Sequence, residues 1–164
     1  MSQGICESVN KAGRVPRHLF ILPGGIAEIF TSTPGKNIVI FKERKGLIKL
    51  AIETGTHLIP CYVFGASDFF HNFSTGEGYL SKLGRKHRIG ITMFFGHFGL
   101  PIPFTPRVTM CFADPLPVEK WSQEGDIPSE MVDELHAKYI ESLKNLFEKY
   151  KNAAGYPNAK LEVR

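Results

Sequence analysis

At 164 residues the chain is long enough for one domain with a buried core, and 43% apolar against 22% charged residues argues against a disordered polymer. Its net charge of +4 permits attraction to anionic headgroups or phosphates, but no long basic stripe with interleaved aromatics is present, so nucleic acid is not an expected partner. Cys6, Cys61 and Cys111 are odd in number, far apart and form no C-x-x-C. That argues against a disulfide framework or a zinc site, fits a reducing compartment and makes all three read as small buried hydrophobes.

The opening MSQGICESVNKAGR lacks the apolar centre of a signal peptide, and no run of about 18 apolar residues follows anywhere. Gln3–Ala12 has helical spacing, with Ile5, Val9 and Ala12 on one side. His18–Leu22 is almost wholly apolar and ends in Pro-Gly-Gly, which predicts a buried strand running into a tight turn. Asn37–Phe41 is a second β-branched strand after the turn signal Thr33-Pro34-Gly35.

From Lys45 to Glu53 the period becomes helical, placing Leu47, Leu50, Ala51 and Thr54 on one face with Gly55 as the residue that ends the helix. His57–Phe64 returns to strand. Strand, helix and strand in succession predict a parallel βαβ unit with a right-handed crossover. Pro60 lacks an N–H, so this last strand should lie at an edge or carry a bulge.

Ser67–Phe73 reads as a loop and Gly78–His87 as a short helix. Ile89–Phe104 contains no charged residue and four phenylalanines, and Arg107–Ala113 alternates as a late strand. Asp126–Asn152 is the clearest helix: Val132, Leu135, Tyr139, Leu143, Leu146 and Tyr150 step by three and four, a face for docking on a sheet. Asp126 or Ser129 is the expected cap, and Gly155 with Pro157 ends the element. The fold class expected is α/β: a small mixed, mostly parallel sheet flanked by helices, with a long C-terminal helix, in a single domain over 1–164.

Three stretches are candidates for chemistry. In Pro23–Glu28 the glycines Gly24 and Gly25 let the backbone approach a ligand, and Glu28 could accept a hydroxyl hydrogen bond or orient an imidazole supplied from elsewhere. A plain turn with a solvent-facing glutamate is the other reading. Arg44 and Lys45 oppose the dipole of the helix they begin, an arrangement that suits a bound anion, and Gly46 would allow close approach. A solvated basic turn explains the same letters. Finally, Arg85, Lys86 and Arg88 stand before the uncharged run that holds Phe94, Phe95 and Phe98, a composition suited to a membrane interface as well as to a core strand with its loop. His97, between glycines, reads as a packing or hydrogen-bonding residue, and the other histidines carry no assigned chemistry. No G-x-S-x-G elbow, G-x-x-x-x-G-K-S/T loop or G-x-G-x-x-G turn is present.

Pro23–Glu28, Arg44–Gly65 and the ending GYPNAKLEVR (Gly155–Arg164), in this order, resemble the C-terminal half of the diacylglycerol acyltransferase type 2 family, which includes monoacylglycerol and wax-ester acyltransferases. The resemblance runs from about Leu19 to Arg164. It implies an acyl-CoA-dependent O-acyltransferase of neutral lipid synthesis, converting diacylglycerol and acyl-CoA to triacylglycerol and coenzyme A. Acyl-CoA would be a co-substrate, with no further cofactor and no metal.

It also implies a substrate pocket drawing on Gly24, Gly25 and Glu28, an anion contact at Arg44, Lys45 and Gly46, and a wall from Pro60, Phe64 and Gly65. The expected location is the cytoplasmic face of the endoplasmic reticulum membrane or a lipid-droplet surface. The family's histidine motif, His-Pro-His-Gly, and its membrane-embedded segment lie upstream of the glycine pair. This sequence has no His-Pro dipeptide and no His-x4-Asp. The expectation is therefore a fragment or truncated form that begins after the catalytic histidine, contains no catalytic residue and is inactive alone. A monoacylglycerol or long-chain-alcohol acceptor is the nearest alternative; a non-catalytic lipid-binding protein is the more distant one.

Overall fold

A computed structural model of the chain describes residues 19–25, 28, 31–72, 94–123 and 125–164. The helices expected at Gln3–Ala12 and Gly78–His87, and Arg85, Lys86 and Arg88, lie outside them. The described elements run β1 (Asn37–Val39), α1 (Gly46–Thr54), β2 (Cys61–Phe64), β3 (His71–Asn72), β4 (Phe94–Phe95), β5 (Thr109–Phe112), α2 (Ser129–Tyr150) and β6 (Leu161–Val163). One-turn helices at Ala66–Asp68 and His97–Gly99 join some of them.

The architecture is the expected α/β mixture, with the long helix in place. Its strand pairing differs from the expected βαβ unit. Strand β1 takes β6 as its parallel partner, while β2 pairs antiparallel with β5, and β3 with β4. The reason lies at the end of the chain. Gly155 adopts the left-handed backbone (φ 93°) that redirects the chain after α2, and Leu161–Val163 then lies along β1. Strands β1 and β2 are tied instead by a side chain, the Tyr62 hydroxyl donating to Asn37 Oδ1 at 3.0 Å. Strand β2 has one ladder partner among the described residues, as Pro60 requires of an edge, and the Pro60 carbonyl accepts the Ala113 N–H at 2.8 Å.

Leu19–Leu22 is a second departure. The run reads as a buried strand, yet it pairs with no strand among the described residues, and Leu19, Phe20 and Leu22 are exposed. In α1 the buried face is Ile48, Ala51 and Ile52, rotated from the expected Leu47–Leu50–Thr54 stripe. Leu47 still packs at the margin of the core, while Thr54 returns its hydroxyl to the Leu50 carbonyl. Gly55 ends the helix at φ 69°, with its N–H on the Ala51 carbonyl.

Helix α2 organises the core. It buries Val132, His136, Tyr139, Leu143, Leu146 and Phe147. The first half packs with Phe41, Ile48, Ile52, Leu58 and Val118; the second packs with Phe64, Cys111 and Ala154. Neither Asp126 nor Ser129 caps it. Pro128 holds the cap position with no side-chain bond, and its carbonyl accepts the Val132 N–H. Proline's fixed φ starts the helix without a side-chain acceptor. No described helix is long and apolar enough to cross a membrane.

Candidate functional site

The turn Pro23–Gly25, Glu28 and Arg44 come together although Pro23 and Arg44 are 21 residues apart. Arg44 Nη1 donates to the Pro23 carbonyl at 2.7 Å, clamping the turn from the loop that precedes α1. Glu28 and Thr31 are helical, and the Thr31 hydroxyl donates back to the Glu28 carbonyl at 3.0 Å. The Glu28 carboxylate turns inward: Oε1 accepts the Ile40 N–H at 3.3 Å and lies against Gly24. A Cβ at Gly24 would overlap that carboxylate, with Oε1 only 2.6 Å away, so the glycine makes room for it. Gly25 is required for a different reason, its left-handed φ of 55°.

Burial pushes the Glu28 carboxyl above the ordinary range, against the Ile40 N–H and the Arg44 charge, which both pull it down. A carboxylate held in this way can accept a hydrogen bond from a hydroxyl or an imidazole, and burial makes it retain a proton more readily than an exposed one.

The loop carrying Arg44 is itself braced. The Phe41 carbonyl accepts both the Arg44 N–H (3.0 Å) and Nε2–H of the buried His136 (3.0 Å), whose ring stacks on Phe41 at 5.1 Å. Arg164 closes the other side: its N–H donates to the Val39 carbonyl, and its own carbonyl accepts the Phe41 and Lys42 N–H groups.

Lys45 and Gly46 do not join this cluster in the way the sequence suggests. The Lys45 ammonium pairs with the Asp133 carboxylate of α2, so the cation at the start of α1 is answered within the chain. The pair is half exposed and contributes little stability. A Cβ at Gly46 would meet open space, so no close approach requires glycine there in this state. Pro60 and Phe64 are fully buried, Phe64 against Phe147 and Tyr156, and so belong to the core beneath α2. Gly65 is needed where it stands: φ is 82°, and a Cβ would press on the Arg107 carbonyl at 2.5 Å.

Sequence reasoning missed a second polar row, centred on Asp68. Asp68 accepts the Gly35 N–H (3.2 Å) on one oxygen and the Tyr156 hydroxyl (2.7 Å) on the other. The Tyr62 phenol is held well above its ordinary range by burial first and then by the fields of Glu28 and Asp68. The available signal was that Asp68 stands three residues beyond Arg44–Gly65 and that Tyr156 is the second residue of Gly155–Arg164.

Tyr156 is pushed up to about 12, by burial first and then by Asp68. A raised phenol contributes stability that is complete below its ordinary value near 10 and fades as pH rises through the folded one. Tyr156→Phe should therefore cost about 1 kcal/mol at pH 8. The gap in urea-denaturation stability should narrow as pH approaches 12. A gap that is absent at pH 8, or constant to that limit, would show that the Asp68 bond contributes nothing.

The apolar run ends in an exposed tip. Gly96 N–H donates to the Leu100 carbonyl (2.7 Å) and His97 N–H to the Ile102 carbonyl (2.9 Å), closing a tight loop in which a Cβ at Gly96 would collide with the Ile102 carbonyl. Phe98 is 94% exposed and has a left-handed φ of 58°, the single described non-glycine residue with positive φ. Leu100 and Ile102 are exposed beside it. His97 packs edge-on against Phe104 at 4.9 Å, the expected packing role, and Phe95 pairs with His71 in the β3–β4 ladder. Phe94 lies in β4 as well. Among the described residues no cluster of three His, Cys, Asp or Glu side chains could hold a metal ion.

A family model described as diacylglycerol acyltransferase matches residues 2–164. Diacylglycerol O-acyltransferase 2-like protein 6 of Homo sapiens is 29% identical over 181 residues, covering 96% of this chain and 52% of its own. For 2-acylglycerol O-acyltransferase 1 of Bos taurus the identity is 31%, with 94% and 48% covered. For diacylglycerol O-acyltransferase 2 of Dictyostelium discoideum it is 29%, with 93% and 48% covered. The chain spans about half the length of these relatives. No solved structure matches it.

Proposed function

The chain belongs to the diacylglycerol acyltransferase family, and from that premise we propose that it is the substrate-binding half of an acyl-CoA-dependent O-acyltransferase that makes triacylglycerol from diacylglycerol. One observation carries the assignment to these residues. The three separated stretches that resemble the family converge in space: Arg44 reaches the Pro23 carbonyl at 2.7 Å, and Arg164 donates to the Val39 carbonyl at 2.9 Å, one residue from the Ile40 N–H that holds Glu28. Independent stretches that meet around one partly buried carboxylate are what a binding site requires.

In the reaction a base removes the proton of the acceptor hydroxyl, whose oxygen attacks the thioester carbonyl. The tetrahedral intermediate collapses, and coenzyme A leaves as the thiol after taking up a proton. None of this chain's histidines sits in a His-Pro-His-Gly motif, so the base is assigned to polypeptide beyond it. Glu28 would orient that imidazole or the acceptor hydroxyl. The Arg44 guanidinium has five N–H donors, one of them on Pro23, and is the group suited to a coenzyme A phosphate; Lys45 would have to leave Asp133 to assist. A monoacylglycerol acceptor is the second reading, favoured by the 31% identity to the bovine 2-acylglycerol enzyme.

We place the protein at the cytoplasmic face of the endoplasmic reticulum membrane or on a lipid droplet, held in part by the Phe98 tip. A left-handed non-glycine residue costs about 1–2 kcal/mol. Here the strain holds a bare phenylalanine out into solvent, the opposite of what a core would select. An aromatic flanked by Leu100 and Ile102 fits the headgroup boundary of a bilayer. Phe98→Ser should lower the fraction of the chain that floats with anionic liposomes by about tenfold; unchanged flotation would remove the tip from the membrane.

The reaction is tested with a hybrid joining this chain to the portion of the Dictyostelium relative that it does not span. Supplied with palmitoyl-CoA, the folded hybrid should esterify diacylglycerol on thin-layer analysis, and the chain alone should not. Transfer by the chain alone, or none by the folded hybrid, overturns the reading.

A further inference from the structure

We propose that the outer face of the β2–β5 sheet, together with the Leu19–Leu22 run, is a docking surface for the polypeptide that the relatives have beyond the half this chain matches. Successive side chains of a strand point to opposite faces. In β2 and β5, Tyr62, Phe64 and Cys111 face α2, where Tyr62 and Phe64 meet the Phe147 ring at 5.0 and 5.1 Å. The register pairs Cys61 with Phe112 and Val63 with Met110, so these four share the outer face. The same alternation adds Ile59 and Val108. All six are uncharged, and Phe112 (57%), Ile59 (48%), Val108 (46%) and Met110 (44%) are open to solvent.

Two further observations decide what covers it. Leu22, 72% exposed, ends a run with the composition of a buried strand that has no ladder partner among the described residues. A strand without a sheet and a sheet with one bare face each call for further polypeptide to cover them. The relatives, about twice as long as the match, have polypeptide enough to fill both. A pleated apolar face without charge suits a packed helix, as α2 shows on the other side, whereas the strained Phe98 tip is the feature built for lipid.

The inference rests on the half-length match and the packing, not on the reaction, and its test reads no activity. Met110→Cys is introduced with Cys6→Ser and Cys61→Ser, leaving the buried Cys111 as an internal control. Maleimide labelling is then compared between the chain alone and the Dictyostelium hybrid. The introduced thiol should react at least about tenfold more slowly in the hybrid, because labelling there requires local opening. Adding Phe112→Asp should restore the rate. Equal labelling in both proteins overturns the proposal. So does protection of the isolated chain that grows with its concentration, which would assign the face to a second copy. Protection of the isolated chain by liposomes would assign it to lipid and also overturn it. An inactive hybrid with a protected thiol would sink the proposed reaction and keep this surface.

Discussion

Gly24→Ala and Glu28→Ala are each expected to lower acyl transfer by the hybrid enzyme by about 10²–10³-fold, and the double substitution by no more than either alone. Gly24 is not among the glycines with positive φ, so its backbone accepts alanine. What alanine cannot share is the space of the Glu28 carboxylate. That carboxylate ends a flexible side chain, so the methyl evicts it instead of breaking the turn. Gly24→Ala should therefore fold normally, with a melting temperature close to that of the unaltered protein, and behave as a glutamate deletion. Once the carboxylate has been displaced, removing it changes nothing more.

Gly25→Ala makes the contrast. A methyl there is about 3.5 Å from Arg44 Nη1, an ordinary contact, but the φ of 55° puts alanine in the left-handed region. It should lower stability by about 1 kcal/mol as well as activity. If the Gly24 and Glu28 losses multiply, or if Gly24→Ala keeps full activity, Glu28 does not act from the position it holds here.

Much of this was readable as pattern. The stepped apolar residues of α2 lie where their spacing puts them, because a 22-residue amphipathic helix has one way to bury its stripe. Gly55 ends α1 for the reason its position suggested. Strand partners were not readable: Asn37–Val39 could be assigned as a strand, but its pairing with Leu161–Val163 depends on a turn more than 110 residues away in sequence. Local periodicity contains no register. The same limit explains the site. Gly24, Gly25, Glu28 and Arg44 were each visible as unusual letters, and the structure brings them together.

Lys45 shows the complementary failure, since its partner Asp133 sits on a helix whose polar face gave no sign of specificity. Asp68, Tyr62 and Tyr156 looked like ordinary loop and core residues. They became notable only when hydrogen bonds joined Tyr62 to Asn37 and Tyr156 to Asp68 across long sequence separations. Phe98 was readable as apolar but not as strained, because a backbone dihedral has no letter.

Phe147→Ala should destabilise the chain by about 3–5 kcal/mol in urea denaturation, the largest loss expected from any single truncation here. Its ring is fully buried, edge-on to Tyr62 at 5.0 Å and tilted against Phe64 at 5.1 Å, and it fills the seam between α2 and the inner face of the β2–β5 sheet. No neighbour can collapse into that space without pulling Tyr62 from Asn37 or Phe64 from Tyr156. A domain of this size is stable by roughly 5–15 kcal/mol, so the loss would leave a sizeable unfolded fraction. Phe147→Leu, which keeps most of the volume, should cost about 1–1.5 kcal/mol.

The opposite face of the same two strands provides the control. Phe112→Ser in the isolated chain should move stability by about 0.5 kcal/mol or less, because the ring it removes faces water there. In the hybrid the same change should cost several times more, since the proposed partner would bury that ring. A Phe147→Ala cost below about 1.5 kcal/mol would mean that α2 does not close the inner face, and the packing that holds the Tyr62 ring and its bond to Asn37 would fall with it.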